Sequence, residues 1–225
     1  MAPANQLQLP ETATVVLVSG LYTPALAMCY LARRLHQHGF QTSVRGCWHT
    51  ARTPQQNAAV LLRGLLRARH RAVHLVGHSL GGLVVMHLLK LNHELPTQQQ
   101  IRIERVVLLA TPARGSALAE RVYAKRWLRF LLGKSVKSGV LGGAPGNAYG
   151  SDIGVMGGNK SFGLAALLLR PAEADDGVVS LNETALPQAV DSVCIPQSHA
   201  LMLFSNLCAD KVATFLAVGR FSADL

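Results

Sequence analysis

Carboxylates are scarce in this chain. Its 225 residues hold 12 Asp and Glu against 22 Lys and Arg, a formal net charge of +10 at pH 7; only 15% of residues are charged and 49% are hydrophobic. A chain this apolar is neither a disordered tail nor a linker, and it can bury several strands in a compact core. Aromatic residues are also few, at 5%. With no recognisable nucleic-acid module, the positive charge lacks the stacking platforms that nucleic-acid binding needs. The four cysteines, Cys29, Cys47, Cys194 and Cys208, form no CxxC pair and sit mostly in apolar segments. That argues against a zinc site or a disulfide framework and predicts reduced thiols in the core. Thr12 to Ala32 carries no charge, yet Glu11 and no Lys or Arg precede it, and Ser19-Gly20 and Thr23-Pro24 interrupt it. It therefore reads as a strand, loop and helix, not as a signal peptide or membrane span, and the expected location is cytoplasmic. Nothing resembles a linker or an internal repeat, so residues 1–225 read as a single domain.

What is present is an alternation of strand and helix signals, the pattern of a mainly parallel sheet covered on both faces. Thr14 to Val18 reads as a buried strand, Ala25 to His38 as a helix closed by Gly39, and Phe40 to Arg45 as a more exposed strand. Thr53-Pro54 opens a helix to about Arg69. Ala72 to Val76 is the next strand, followed by a helix from Ser79 to about Asn92. Arg105 to Ala110 is another strand, ending in Thr111-Pro112. Residues 113–150 then break the alternation with an amphipathic helix, Ala117 to Leu132, and a glycine-rich stretch. With no sheet position to fill, this insertion is expected to lie over the strand ends as a short lid. Strands at Ile153 to Met156 and Ala189 to Ile195 and a helix from Ala200 to Val218 complete the pattern.

One junction carries chemistry. Val73-His74-Leu75-Val76-Gly77-His78-Ser79-Leu80-Gly81-Gly82 reads strand, strained turn, helix, with Ser79 at the apex and glycines where side chains would collide. This nucleophile elbow lifts a hydroxyl clear of the sheet, and the following helix aims its free amides and positive dipole end at the same spot. The Leu80 N–H is thus half of an oxyanion hole. By topology the Leu21 N–H supplies the other half, from the Ser19-Gly20-Leu21 loop after the first strand, with Gly20 allowing close approach.

A serine hydroxyl needs a base, and the base an orienting acid. His36, His38, His49, His70 and His74 precede the elbow, His87 and His93 lie on its helix, and His78 is the variable residue within it. Only His199, in Ile195-Pro196-Gln197-Ser198-His199, follows a late strand. The acid belongs between Ser79 and His199, at another strand's carboxyl end. Asp152 begins a strand and Asp191 lies inside one. Of Glu173, Asp175 and Asp176, the last stands before Gly177-Val178-Val179-Ser180 and is the first choice, with Asp175 second. The histidines show no metal-ligand spacing and the glycine clusters lack a phosphate-loop context, so no metal or cofactor is expected.

At these residues the chain resembles the α/β-hydrolase superfamily, in particular bacterial lipases and esterases with a short lid. Gly77-His78-Ser79-Leu80-Gly81-Gly82 is similar to the lipase GHSxGG signature. Ala174-Asp175-Asp176-Gly177-Val178-Val179-Ser180 is similar to the NDGxV segment that carries the acid, and Ser198-His199 to the late histidine. Two departures stand out: many lipases have His-Gly where this chain has Ser19-Gly20, and Asn where it has Asp175. The resemblance implies an α/β-hydrolase fold, a Ser79–His199–Asp176 triad, and a small-molecule or lipid ester as substrate. An acyltransferase using the same triad is the alternative, and a non-catalytic binding protein with a basic face is the reading from another class. That face is drawn from Arg114, Arg121, Lys125, Arg126, Arg129, Lys134 and Lys137, against the single acid Glu120. With Leu118, Val122, Trp127, Phe130 and Leu131 it makes an anionic membrane surface a further candidate partner, through peripheral attachment.

Overall fold

The computed structural model describes residues 13–68, 72–136, 139–146, 149–161 and 174–222. Of the residues singled out above, Glu11, Thr12, Arg69, His70, Lys137 and Glu173 lie outside them. The described strands and α-helices run β1 (Thr14–Val18), α1 (Ala25–Gln37), β2 (Thr42–Arg45), α2 (Pro54–Arg67), β3 (Ala72–His78), α3 (Leu80–His93) and β4 (Arg102–Leu109). They continue α4 (Ala117–Ala124), α5 (Arg129–Leu132), β5 (Asp152–Gly158), α6 (Leu181–Thr184), β6 (Asp191–Ile195) and α7 (Asn206–Val218). The strands form one six-stranded sheet, in the order β2-β1-β3-β4-β5-β6, and every pairing is parallel.

Period-two alternation splits the strand side chains between two faces. Val16, Val18, Leu75, Val106 and Leu108 pack on one side with residues of α2 and α3. Val15, Leu17, Val76, Val107 and Leu109 pack on the other with residues of α1 and α7. Covered on both faces, β1 and β3 read as continuous apolar runs; the edge strands β2 and β6 are half exposed and read as mixed. Helix starts follow local chemistry. Thr53 Oγ1 accepts from Gln56 N–H while Gln56 Oε1 accepts from Thr53 N–H, with Pro54 at the first helical position. This capping box fixes the start of α2.

The chain crosses from β1 outward to β2, then back past β1 to β3 and on to β6. The loops after β1 and β3 therefore leave in opposite directions, and a crevice opens between them at the carboxyl ends of the strands, where ligands bind in open parallel sheets.

Three expectations need correction. The amphipathic helix from Ala117 to Leu132 is broken: α4 stops at Ala124, Lys125 is extended, a 3-10 turn covers Arg126–Leu128, and α5 follows. Arg129 Nε donates to the Tyr123 carbonyl at 2.7 Å and its guanidinium lies 4.4 Å over the Tyr123 ring, replacing the backbone bond that would have continued the helix. The helix from Ala200 to Val218 is also interrupted. A 3-10 turn spans Leu201–Phe204, and Ser205, in extended conformation, caps α7 by accepting from Cys208 N–H. Finally, the four thiols are free, but only Cys208 is buried; Cys47 is half buried and Cys29 and Cys194 are exposed.

The insertion between β4 and β5 docks by backbone bonds. Lys134 N–H donates to the Thr50 carbonyl and Arg114 N–H to the Glu183 carbonyl, while Ser116 N–H, bonded to the Val140 carbonyl, closes the insertion on itself. Tyr22 Oη donates to the Leu131 carbonyl at 2.7 Å, tying the insertion to the loop after β1. Among the described residues no helix is long and apolar enough to cross a membrane.

Candidate active site

Ser79 stands between β3 and α3 at φ 53°, ψ −124°, a region that residues with a Cβ rarely occupy, at a cost of about 1–3 kcal/mol. Its neighbours hold it there. Ser79 N–H donates to the Leu109 carbonyl of β4 at 2.8 Å, and Gly82 N–H closes the turn on the Ser79 carbonyl. A Cβ on Gly77 would sit 2.5 Å from Gly82 Cα, and one on Gly81 would collide with the Val18 and Ser19 carbonyls. Strand and helix can meet this closely only through glycine.

The candidate acid and base, Asp176 and His199, come from the far half of the sheet. Asp176 lies in the turn beyond β5, 1% exposed. Its Oδ1 accepts from the N–H groups of Val178 at 2.9 Å and Val179 at 2.8 Å. Its Oδ2 lies 2.7 Å from His199 Nδ1, and its carbonyl accepts from His199 N–H at 2.9 Å. A carboxylate facing Nδ1 fixes the tautomer with the proton on Nδ1, which leaves Nε2 as the basic nitrogen. Asp175 is committed elsewhere: its Oδ1 accepts from Gly177 N–H at 2.8 Å and stabilises the turn. Asp152, at the start of β5, faces Arg105 at 3.8 Å. Asp191, at the start of β6, accepts from Phe221 N–H at 2.7 Å. Both sit at the amino ends of the strands, away from Ser79.

His199 comes to the elbow through His78. The His78 Nε2–H donates to the His199 carbonyl at 3.0 Å, and the two rings lie 4.8 Å apart, tilted by 48°. Burial, and then repulsion from His199, push His78 down to about 3, with the bond to the His199 carbonyl opposing them. His78 is therefore a neutral strut. No hydrogen bond joins Ser79 to His199 among the described residues; such bonds commonly tighten only when substrate is bound.

On the other flank, the loop after β1 presses against Ser79: a Cβ on Gly20 would lie 2.8 Å from Ser79 Cβ. Neither the Leu21 nor the Leu80 N–H donates to an acceptor among the described residues. Both are free for a ligand oxygen. The Ser19 carbonyl behind this loop accepts from His49 Nε2 at 2.8 Å. A cavity of about 480 Å³ opens beside the loop, lined by Gly20, Leu21, Tyr22, Trp48, His49 and Thr50 among others.

The structure thus brings His199 onto Asp176 and places both loops with free amides at the end of the sheet where Ser79 stands. Sequence reasoning missed His49 and His78 as parts of this arrangement. His78 could have been noticed from its place inside the elbow. His49 is reached only through the pairing of β1 with β2, which no local signal discloses.

Residues 43–157, just over half of the chain, match a family model described as "Domain of unknown function (DUF7379)". The chain belongs to the DUF7379 family. No curated protein matches its sequence. Among solved structures, it is similar to a carboxylesterase from the thaumarchaeon Nitrososphaera gargenis, with a TM-score of 0.61 at 14% identity, over 92% of this chain and 91% of that one. The pyrethroid hydrolase PytH superposes with a TM-score of 0.59 at 14% identity, over 92% and 99%. A bromoperoxidase from Bacillus anthracis gives 0.59 at 15% identity, over 92% of each chain. At such identities the likeness is one of fold: this DUF7379 member has the α/β-hydrolase fold.

Proposed function

We propose that this protein is a serine hydrolase of carboxylic esters. The observation that carries the reading is the 2.7 Å contact of His199 Nδ1 with the buried Asp176 carboxylate, at the end of the sheet where Ser79 caps α3 with positive φ. Ser79 Oγ attacks the ester carbon while His199 Nε2 takes its proton. Asp176 keeps the imidazole oriented and offsets its positive charge. The Leu21 and Leu80 amides hold the oxyanion. The tetrahedral intermediate expels the alcohol, which receives the proton from His199, and water then enters by the reverse path to release the acid and free Ser79. Two of the fold relatives bear names of ester-cleaving enzymes, carboxylesterase and pyrethroid hydrolase, which supports this reading. A bromoperoxidase bears the same fold, so fold alone names no reaction and the residues of the site carry the assignment.

The test is Ser79→Ala with short p-nitrophenyl esters. A loss of kcat of roughly a million-fold is expected, together with loss of labelling by a fluorophosphonate probe. Undiminished hydrolysis by the variant would refute the assignment. An acyltransferase would instead show acyl transfer to an added alcohol in preference to water.

The substrate is delivered, in this reading, at an anionic membrane surface. Trp127 and Phe130 on the insertion are each 71% exposed, and Lys125, Arg126 and Arg129 stand beside them in sequence. Exposed aromatics among cations suit an anionic interface. Replacing Trp127 and Phe130 together by Ala is expected to abolish sedimentation with anionic vesicles; equal binding to neutral and anionic vesicles by the wild type would exclude the idea.

A further inference from the structure

Ser19-Gly20 stands where many lipases have His-Gly, and in the structure a histidine from another loop meets this pair. Ser19 is the last residue joined to β2, through its N–H and the Arg45 carbonyl at 3.2 Å. Beyond it the two strands part. Ser19 is buried, so its carbonyl would be left without a partner by the neighbouring strand, a loss of about 1–3 kcal/mol. His49, from the loop after β2, fills the gap. It is 4% exposed, and its Nε2 lies 2.8 Å from the Ser19 oxygen. Its Nδ1 is buried with no partner. The loop that carries it is anchored on both sides: Trp48 N–H donates to Asn57 Oδ1, and the Thr50 carbonyl accepts from Lys134 N–H. Holding a polar ring in the interior with one nitrogen unsatisfied costs stability. Among the described residues the bond to Ser19 is the one hydrogen bond that the ring makes.

We propose that His49 is a positioning residue for the oxyanion loop; this rests on the ester-hydrolase reading of the same site. The peptide unit is planar, so fixing the Ser19 carbonyl fixes the Ser19–Gly20 plane. Only the two torsions of Gly20 separate that plane from the Leu21 N–H. Glycine is the least restricted residue, so the donor's direction is held only if the plane before it is clamped. The clamp has two jaws. His49 grips the Ser19 oxygen, and the helix start lies on the other side, since a Cβ on Gly81 would meet that same oxygen at 2.7 Å. Among the described residues no hydrogen bond joins His49 to Ser79, Asp176 or His199. Its effect passes through the Leu21 amide, which matters most when charge develops on the substrate oxygen.

The experiment compares three variants on a short p-nitrophenyl ester and on fluorophosphonate labelling of Ser79. His49→Phe keeps the ring volume and removes the donor, and kcat is expected to fall at least tenfold with KM within threefold, labelling slowing in parallel. Loss of a whole oxyanion donor costs about 10²–10³ in kcat. His49→Gln places an amide N–H near the Nε2 position and should recover kcat to within about fivefold of wild type. His49→Asn carries the same amide on a shorter arm and should not. Wild-type kcat in His49→Phe would overturn the proposal. So would equal impairment of the Gln and Asn variants, which would mark a packing role only. If wild-type Ser79 takes no label, the hydrolase reading fails and this proposal with it; labelling that is Ser79-dependent but indifferent to His49 sinks this proposal alone.

Discussion

Moderate acid should destabilise this protein, because several histidines are buried without charge. Burial, then the nearby Arg105, pushes His74 down to about 4, against the opposing pull of Glu104 and a bond to the Arg105 backbone. His78 is pushed down to about 3, chiefly by burial. In the unfolded chain both return to about 6.5, so below that pH the unfolded state binds protons that the folded state refuses, and stability falls with falling pH. The loss begins near pH 6.5 and runs until the folded groups themselves protonate, near pH 4 for His74 and pH 3 for His78. At pH 5 each residue costs about 2 kcal/mol, and at pH 7 only a few tenths. Together they remove nearly 4 kcal/mol between pH 7 and 5, a large fraction of the roughly 5–15 kcal/mol available to a domain. His49, also lowered by burial, acts in the same direction. Urea unfolding followed by tryptophan fluorescence at the two pH values measures the difference. His74→Leu, which removes one titrating ring beside Phe40, should shrink the pH-dependent part by about half, whatever it does to stability at pH 7. A wild-type difference below about 1 kcal/mol, or an unchanged difference in His74→Leu, would refute the reasoning.

The two adjacent carboxylates should separate cleanly in kinetics. Asp176→Asn is expected to lower kcat by about 10⁴ through loss of the correct imidazole tautomer, whereas Asp175→Asn can still accept from Gly177 N–H and should stay within about threefold of wild type. Steady-state hydrolysis of a short ester reads both. Gly81→Ala forces a methyl against the Val18 and Ser19 carbonyls; a loss of about 3 kcal/mol or more is expected in urea unfolding, and a change below 1 kcal/mol would show that strand and helix can separate there.

Much of the architecture was legible because its causes are local. A run such as Val73 to Val76 ending in Gly77-His78-Ser79-Leu80-Gly81 states strand, turn and helix through its own sterics. The proposed acid and base were chosen as positions in an order, Asp176 in a glycine turn and His199 after a late strand, and the structure sets these two side chains 2.7 Å apart. The breaks at Lys125 and Ser205 were not, because no Gly or Pro marks them. At the first, Arg129 reaches back to the Tyr123 carbonyl; at the second, a serine takes over a helix start. The exposure of Cys29 and Cys194 was misjudged for a related reason: α1 presents Cys29 to solvent, and β6, an edge strand, leaves Cys194 uncovered. The clamp on Ser19 was invisible because His49 is 30 residues away, and the two meet only after β2 has paired with β1.

His199 is carried into place by β6, which among the described residues pairs with β5 alone and leaves Ser192 and Cys194 exposed. The serine, by contrast, is rooted between strands in the middle of the sheet. The two halves of the proposed chemistry therefore belong to regions of unequal persistence. Peeling of the outermost strand would take the base away from an intact nucleophile, leaving a protein that looks folded by its overall helix and sheet content yet turns over nothing. Inactivation on warming would then precede bulk unfolding and reverse readily on cooling. During synthesis the same asymmetry delays competence: the elbow can form early, and the chain stays chemically silent until its last strand has docked.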